Sequence, residues 1–300
     1  MQKEIITVFQ AGSLSIPFMQ ISKAFENKYP RYIVKMENSG SIKAAKKIYE
    51  EGKHADVLAS ADYKVIDNLL IPKYAKFNAQ FSTNEMVIAY TKNSKYSKEI
   101  TNQNWPEIFL REDVKIAHTN PNLDPCGYRS ILVTKLAEKF YKIPNFYNNL
   151  LGYGSYYKEG NENKNKIIVR DTESELLKLI QENNYDYLYI YKSVAKQHNL
   201  EYIILSKEVS LKDNENKEFY KTVSFNINGK EEGSFITKNA NAMIYGLTII
   251  ENDNPSKDKT GAIKFVNYVL SKEGQDIMLK NGQGKIDPVI ITGDDSILFY

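Results

Sequence analysis

The sequence predicts an α/β protein of two lobes, the second inserted into the first. Short apolar runs alternate with helical patterns through the first third of the chain, as in βαβ units with a mostly parallel sheet. The length, 300 residues, exceeds that of a usual single domain. Strands in the middle of the chain then open and close a second set, so both chain ends build the first lobe. The expected division is 1–86 for the first part of lobe I, 87–204 for lobe II and 205–300 for the rest of lobe I. Two crossovers make a hinge beside an interlobe cleft, an arrangement suited to closing around a ligand.

Taken in order, residues 5–9 read as a buried strand. Residues 16–29 carry Phe18, Ile21, Ala24 and Phe25 at helical spacing and stop at Pro30. A strand over 32–36, a helix over 42–51 stopped by Gly52, and a strand over 57–60 complete the alternation. Residues 85–90 form the strand that crosses into the inserted lobe. That lobe is read as a strand over 114–117, a helix over 127–141, a helix over Glu173–Gln181 and a closing strand over 185–191. Residues 152–166 are rich in Gly, Asn, Lys and Tyr without a period and read as a surface loop. Residues 203–205 carry the chain back to lobe I. Strands over 223–228 and 242–249 follow, the first leading into a turn at Asn228-Gly229-Lys230, and helices over 261–270 and 275–280 end the chain.

Composition narrows the function classes. The chain is 42% hydrophobic and 26% charged, with 40 basic and 37 acidic residues and a net charge of +3. This balance, with lysines spread along the whole length, argues against a nucleic-acid footprint. One cysteine, Cys126, excludes an internal disulfide, and His54, His118 and His198 are too scattered for a zinc motif. No apolar run is long enough to span a membrane. The first residues enter a strand pattern directly, without the apolar core of a signal peptide. The chain is either cytoplasmic or lacks a leader.

Four stretches read as helix openings crowded with hydroxyls, glycines or carboxylates. They are Ala11-Gly12-Ser13-Leu14-Ser15, Ser39-Gly40-Ser41, Asp124-Pro125-Cys126-Gly127-Tyr128-Arg129 and Asp171-Thr172-Glu173-Ser174-Glu175. A helix N-terminus offers unpaired N–H groups and the positive end of the helix dipole, so several such ends suit a small oxyanion. Each also has a capping explanation. Ser13 or Ser15 can cap one helix, Ser39 or Ser41 the next, and Asp124 before Pro125 fits N-cap followed by N1. Thr172 and Glu175 have capping-box spacing, which leaves Glu173, at the first helical position, either to favour the helix dipole or to meet a ligand. A carboxylate in an anion site is costly unless the ligand has an electropositive centre. Tyr187, Tyr189 and Tyr191 alternate on one strand and share a face; one at the strand end can donate its hydroxyl to a ligand.

The runs Phe9-Gln10-Ala11-Gly12-Ser13-Leu14, Ala55-Asp56-Val57-Leu58-Ala59-Ser60-Ala61-Asp62, Asn120-Pro121-Asn122-Leu123-Asp124-Pro125-Cys126-Gly127-Tyr128-Arg129-Ser130 and Tyr189-Ile190-Tyr191-Lys192-Ser193-Val194-Ala195-Lys196-Gln197 resemble the substrate-binding proteins of molybdate/tungstate ABC importers, in their archaeal tungstate-binding branch. The resemblance covers nearly the whole chain in order. It implies the two-lobed type II periplasmic-binding-protein fold. It also implies an oxyanion held by Gly12, Ser13, Ser41, the Asp124-Pro125-Cys126 turn, Glu173 and Tyr191. Asp124 and Glu173 would add to the molybdenum or tungsten atom itself, which can accept carboxylate oxygen where sulfur or phosphorus cannot.

The resulting expectation is a non-enzymatic, monomeric binding protein without a cofactor. It would capture molybdate or tungstate outside the cytoplasm, tethered to the outer face of the membrane through a leader or anchor absent from this chain. It would deliver the anion to an ABC permease and its ATPase. Two rivals stand beside it: the same scaffold binding sulfate or phosphate, and an enzyme using Cys126 as nucleophile or cofactor anchor. A cytoplasmic oxyanion sensor or store is a third, with no effector motif to support it.

Overall fold

The computed structural model describes residues 3–251 and 258–298. The chain opens with β1 (Glu4–Ala11), a 3-10 turn (Gly12–Leu14), α1 (Ser15–Lys28), β2 (Tyr32–Ser39), α2 (Ser41–Tyr49), β3 (Val57–Ser60), α3 (Tyr63–Leu69) and β4 (Phe77–Thr83). It continues through β5 (Met86–Tyr90), α4 (Trp105–Leu110), β6 (Ile116–Thr119), α5 (Pro125–Phe140), α6 (Phe146–Leu150), β7 (Ile167–Arg170), α7 (Glu173–Gln181), β8 (Tyr187–Tyr191), α8 (Lys192–Gln197) and β9 (Glu201–Ile204). Then come α9 (Lys217–Tyr220), β10 (Ser224–Asn228), β11 (Phe235–Asn239), β12 (Ile244–Ile249), α10 (Thr260–Leu270), α11 (Lys272–Lys280) and β13 (Gly284–Gly293). Two compact units result. One holds the chain through Thr83 and again from Ile244; the other holds Asn84 to Met243.

The first unit is built on a six-stranded sheet in the order β13-β4-β12-β3-β1-β2. Strand β1 pairs parallel with β2 and with β3, as βαβ connections require. Strand β12 returns antiparallel between β3 and β4. Every residue of β3 is buried, consistent with a strand covered on both faces. Helix α1 is held to α10 by aromatic edges: Phe25 meets Phe265 at 5.3 Å and 90°, and Phe18 meets the same ring at 6.2 Å and 79°.

The second unit has a five-stranded sheet in the order β7-β6-β8-β5-β9 and a separate β10-β11 hairpin. Strand β6 is parallel to both β7 and β8. Strand β5 is antiparallel to β8 and β9. All five residues of β8, Tyr-Leu-Tyr-Ile-Tyr, are buried. Trp105 on α4 is fully buried and meets Phe109, Phe146 and Tyr189 edge-on at 5.0, 5.6 and 6.1 Å. Each such pair is worth about 0.5–1.5 kcal/mol beyond its buried area.

Two readings from sequence change. The expected return to the first lobe after residue 204 does not occur there. Strand β9 pairs with β5, and Val209, Leu211, Tyr220, Phe225 and Ile227 bury their side chains in the second unit, which runs to Met243. Lys135 and Lys139 of α5 donate to the Ser224 and Thr222 carbonyls, each at 2.8 Å, fastening the hairpin to this unit. The strand over 223–228 therefore belongs to the inserted unit. Strand β13 carries no alternation signal, because Gly284, Asp287 and Pro288 interrupt it. It forms nonetheless as an edge strand whose register jumps between Lys285 and Ile290, and Pro288 falls in that break.

Helix α5 starts against the end of β6 with no room to spare. A Cβ on Gly127 would lie 2.3 Å from the Thr119 carbonyl oxygen and 2.7 Å from the Pro121 nitrogen. These are backbone atoms that cannot swing aside. Gly127→Ala is expected to destabilise the protein by about 1–3 kcal/mol, measured as a lower urea midpoint at unchanged slope.

Candidate functional site

In the second unit, β7, β6 and β8 lie side by side and run parallel. Their carboxyl ends therefore open onto one edge of the sheet, where ligands sit in α/β proteins. The end of β6 leads through 120–124 into α5. There Asp124 is the N-cap, its Oδ1 accepting from the Cys126 amide at 3.3 Å, with Pro125 at the first helical position. The end of β7 leads into α7, where Thr172 and Glu175 form the reciprocal capping box. Glu173 is left over, buried at 4% exposure, and its Oε2 has no hydrogen-bond partner. The end of β8 supplies Tyr191, whose hydroxyl accepts from the Arg129 guanidinium at 2.9 Å. Asp124, Cys126, Glu173 and Tyr191 are thus gathered by topology from segments far apart in the chain.

Electrostatics mark this edge as unusual. Burial pushes the Asp124 carboxyl up to about 6, against the pull of the Cys126 amide and Arg129. Glu173 is raised well above the ordinary carboxylate range, first by burial and then by the Asp124 charge, with Arg129 again opposing. The two buried acids are close enough for the Asp124 charge to act on Glu173, and a positive centre brought between them would relieve both. Among the described residues, no group of three or more His, Cys, Asp or Glu side chains is arranged to hold a metal ion. The pair instead suits a ligand that brings an electropositive centre together with its own oxygens. The setting of Cys126 disfavours its thiolate. Burial and then Glu173 and Asp124 push its thiol up, and Sγ faces the Tyr189 carbonyl at 3.6 Å.

In the first unit, parallel β1, β2 and β3 also share one carboxyl edge. The sequence allows serines to cap α1 and α2, but the N-caps are Leu14 and Gly40, and neither helix has a side-chain cap bond. The serine hydroxyls do other things. Ser15 donates to the Gly12 carbonyl at 2.6 Å, closing the 3-10 turn. Ser13, buried, accepts at Oγ from the Tyr245 hydroxyl at 3.0 Å, while its carbonyl accepts from Gln283 at 3.0 Å. Ser41, buried at the first position of α2, accepts at Oγ from the Ala61 amide at 2.9 Å, which leaves its proton to donate elsewhere. Gly12, Ser13 and Ser41 therefore sit at two helix openings whose first-turn amides have no side-chain cap. Tyr245 and Gln283 escape a reading of the sequence because they arrive from the far end of the chain. Arg129 lies inside a recognised motif, but its role depends on the neighbouring strand.

The family model described as bacterial extracellular solute-binding protein matches residues 6–283. An uncharacterized solute-binding protein of Petrotoga mobilis is 46% identical over 283 residues, 94% of this chain and 84% of that one. The molybdate/tungstate-binding protein WtpA of Pyrococcus abyssi is 38% identical over 305 residues, 96% of this chain and 87% of that one. Among solved structures, the Azotobacter vinelandii periplasmic molybdate-binding protein is similar in fold, with a TM-score of 0.63 at 12% identity, covering 93% of this chain and 98% of that one. The chain belongs to the bacterial extracellular solute-binding protein family.

Two measurements check the electrostatics. A carboxyl raised in the folded state holds a proton that the unfolded chain has already lost. Ligand-free stability therefore falls as pH rises from the ordinary carboxylate range through the folded values. Glu173→Gln removes this contribution, so its stability relative to the parent is expected to grow as pH rises above the ordinary carboxylate range, read in urea titrations at stepped pH. Cys126 is expected to react with iodoacetamide only after unfolding, read by mass spectrometry with and without denaturant.

Proposed function

We propose that this solute-binding protein captures molybdate or tungstate and delivers it to an ABC permease and its ATPase. The observation that carries the reading is the buried Asp124–Glu173 pair with the unpartnered Oε2 of Glu173. The WtpA relative, named for molybdate and tungstate, supports it. In this reading the amides at the openings of α1 and α2, with Gly12, Ser13, Ser41 and Tyr191, take the oxyanion oxygens. The Asp124-Pro125-Cys126 turn and Glu173 complete the set, with both carboxylates adding to the metal atom of the ligand. Molybdenum and tungsten have vacant orbitals for two further oxygens. Sulfate and phosphate do not, so the same carboxylates repel them.

The cysteine enzyme is the weaker reading, because the thiol lies in a negative, buried setting that disfavours thiolate. The protein acts as a binder without a cofactor, as a monomer, at the outer face of the cell membrane. No helix among the described residues is long and apolar enough to cross a membrane.

Thermal-shift titration with tungstate, molybdate, sulfate and phosphate tests the proposal. A ligand at a hundred times its dissociation constant adds about 2.7 kcal/mol, so tungstate and molybdate are expected to raise the melting temperature while sulfate and phosphate do not. A shift with sulfate or phosphate alone would overturn the metal-coordination role of the two carboxylates. In calorimetric titration, Asp124→Ala is expected to lose tungstate affinity; unchanged binding would overturn the metal-coordination role.

A further inference from the structure

The two carboxylates stand at the openings of two different helices, so something must hold those openings at one spacing. We propose that Asn120 is the positioning residue that sets the separation of Asp124 and Glu173, and with it the geometry offered to the metal atom of the oxyanion. The proposal rests on the function proposed above. Asn120 directly follows β6. Its amide donates to the Arg170 carbonyl at 2.8 Å, extending the β6–β7 pairing past the end of the strand. Its carbonyl accepts from the Leu123 and Asp124 amides at 3.1 and 3.0 Å, folding the turn that presents Asp124. Its side-chain Oδ1 accepts from the Asn122 amide at 3.0 Å, and Nδ2 donates to Asp171 Oδ1 at 3.2 Å, two residues before Glu173. One residue thus holds the Asp124 turn with its carbonyl and Oδ1, and the Glu173 loop with its amide and Nδ2.

The side chain must both donate and accept, which an amide does and a carboxylate or an alkyl group does not. Asn120→Asp keeps the shape and the acceptor for Asn122, but it loses the donor and sets a second carboxylate against Asp171. Asp171→Asn alone keeps an acceptor oxygen for Asn120. Joined to Asn120→Asp, it supplies the missing donor from the other side, and the bond re-forms with its polarity reversed. Residues that orient metal-binding side chains typically change affinity by about 10- to 100-fold when altered, which sets the size of the effect.

The test is calorimetric titration of tungstate into the parent chain, Asn120→Asp, Asp171→Asn, the double variant and Asp171→Ala, with tungsten-edge X-ray absorption of the loaded proteins. Asn120→Asp is expected to bind about 10- to 100-fold more weakly and to shift the tungsten spectrum from octahedral toward tetrahedral. A generally loosened fold would not produce that spectral change. Asp171→Asn is expected to match the parent, and the double variant to recover affinity and spectrum together. If Asn120→Asp does not fold, Asp171→Ala, altered in the partly exposed loop, carries the same expected loss. Parent-like binding by Asn120→Asp or Asp171→Ala, or a double variant as weak as Asn120→Asp, overturns the positioning role while leaving the proposed function standing. A parent chain that takes up no tungstate overturns both.

Discussion

Two carboxylates, Asp124 and Glu173, are buried where they feel each other's charge, with the Arg129 guanidinium as the opposing cation. Such a pair works against folding, since each acid must give up water and each disfavours ionisation of the other. Much of the second unit can be understood as the apparatus that holds this arrangement. Arg129 is itself buried on α5 and bonded to Tyr191 at the end of β8. Burial pushes the neighbouring His118 down to about 4, so it stays neutral at neutral pH. Its two ring nitrogens meet the Thr119 carbonyl and the Tyr153 hydroxyl, each at 2.8 Å, which steadies the strand end from which the Asp124 turn departs. The absence of a Cβ at Gly127 then lets α5 begin directly against that strand end.

The sheet explains why these groups meet. Three adjacent parallel strands finish at one edge, and each passes one contributor to it: the Asp124 turn from β6, Glu173 at the start of α7 after β7, and Tyr191 from β8 itself. The same rule orders the first unit, where the chain leaving β1 and β2 enters helices through Ser13 and Ser41. The aromatic packing behind each sheet, around Trp105 in one unit and Phe265 in the other, supplies the rigidity that such site geometry needs. Loop ties add to it. Asn122 accepts from the Asn228 amide at 2.9 Å, so the Asp124 turn is fastened to the β10-β11 hairpin as well as to its own strand.

The chain declares its structure where the chemistry is local. The Thr172–Glu175 capping box and the Asp124 N-cap with Pro125 behind it need only a few consecutive residues, and both are present. The box also isolated Glu173 as the carboxylate left outside it. The serines misled because a hydroxyl before a helix looks the same whether it caps or not. Only Tyr245 and the Ala61 amide, brought in by strand pairing, show how Ser13 and Ser41 are engaged. The end of the inserted unit is not legible locally, because residues 203–205 are a short apolar run before a polar stretch and nothing local says that β9 pairs with β5.

By itself, then, the sequence determined the α/β class, the order of strands and helices through β3, the helix openings and the identity of the odd carboxylate. These follow from periodicity, capping and turn chemistry, which act over a few residues. Tertiary structure decided which strand ends lie side by side and how far the inserted unit extends. It also decided which side chains use the helix openings and how deeply the two acids are buried. Those depend on pairings between residues tens to hundreds of positions apart, and on desolvation, which no short stretch of chain carries.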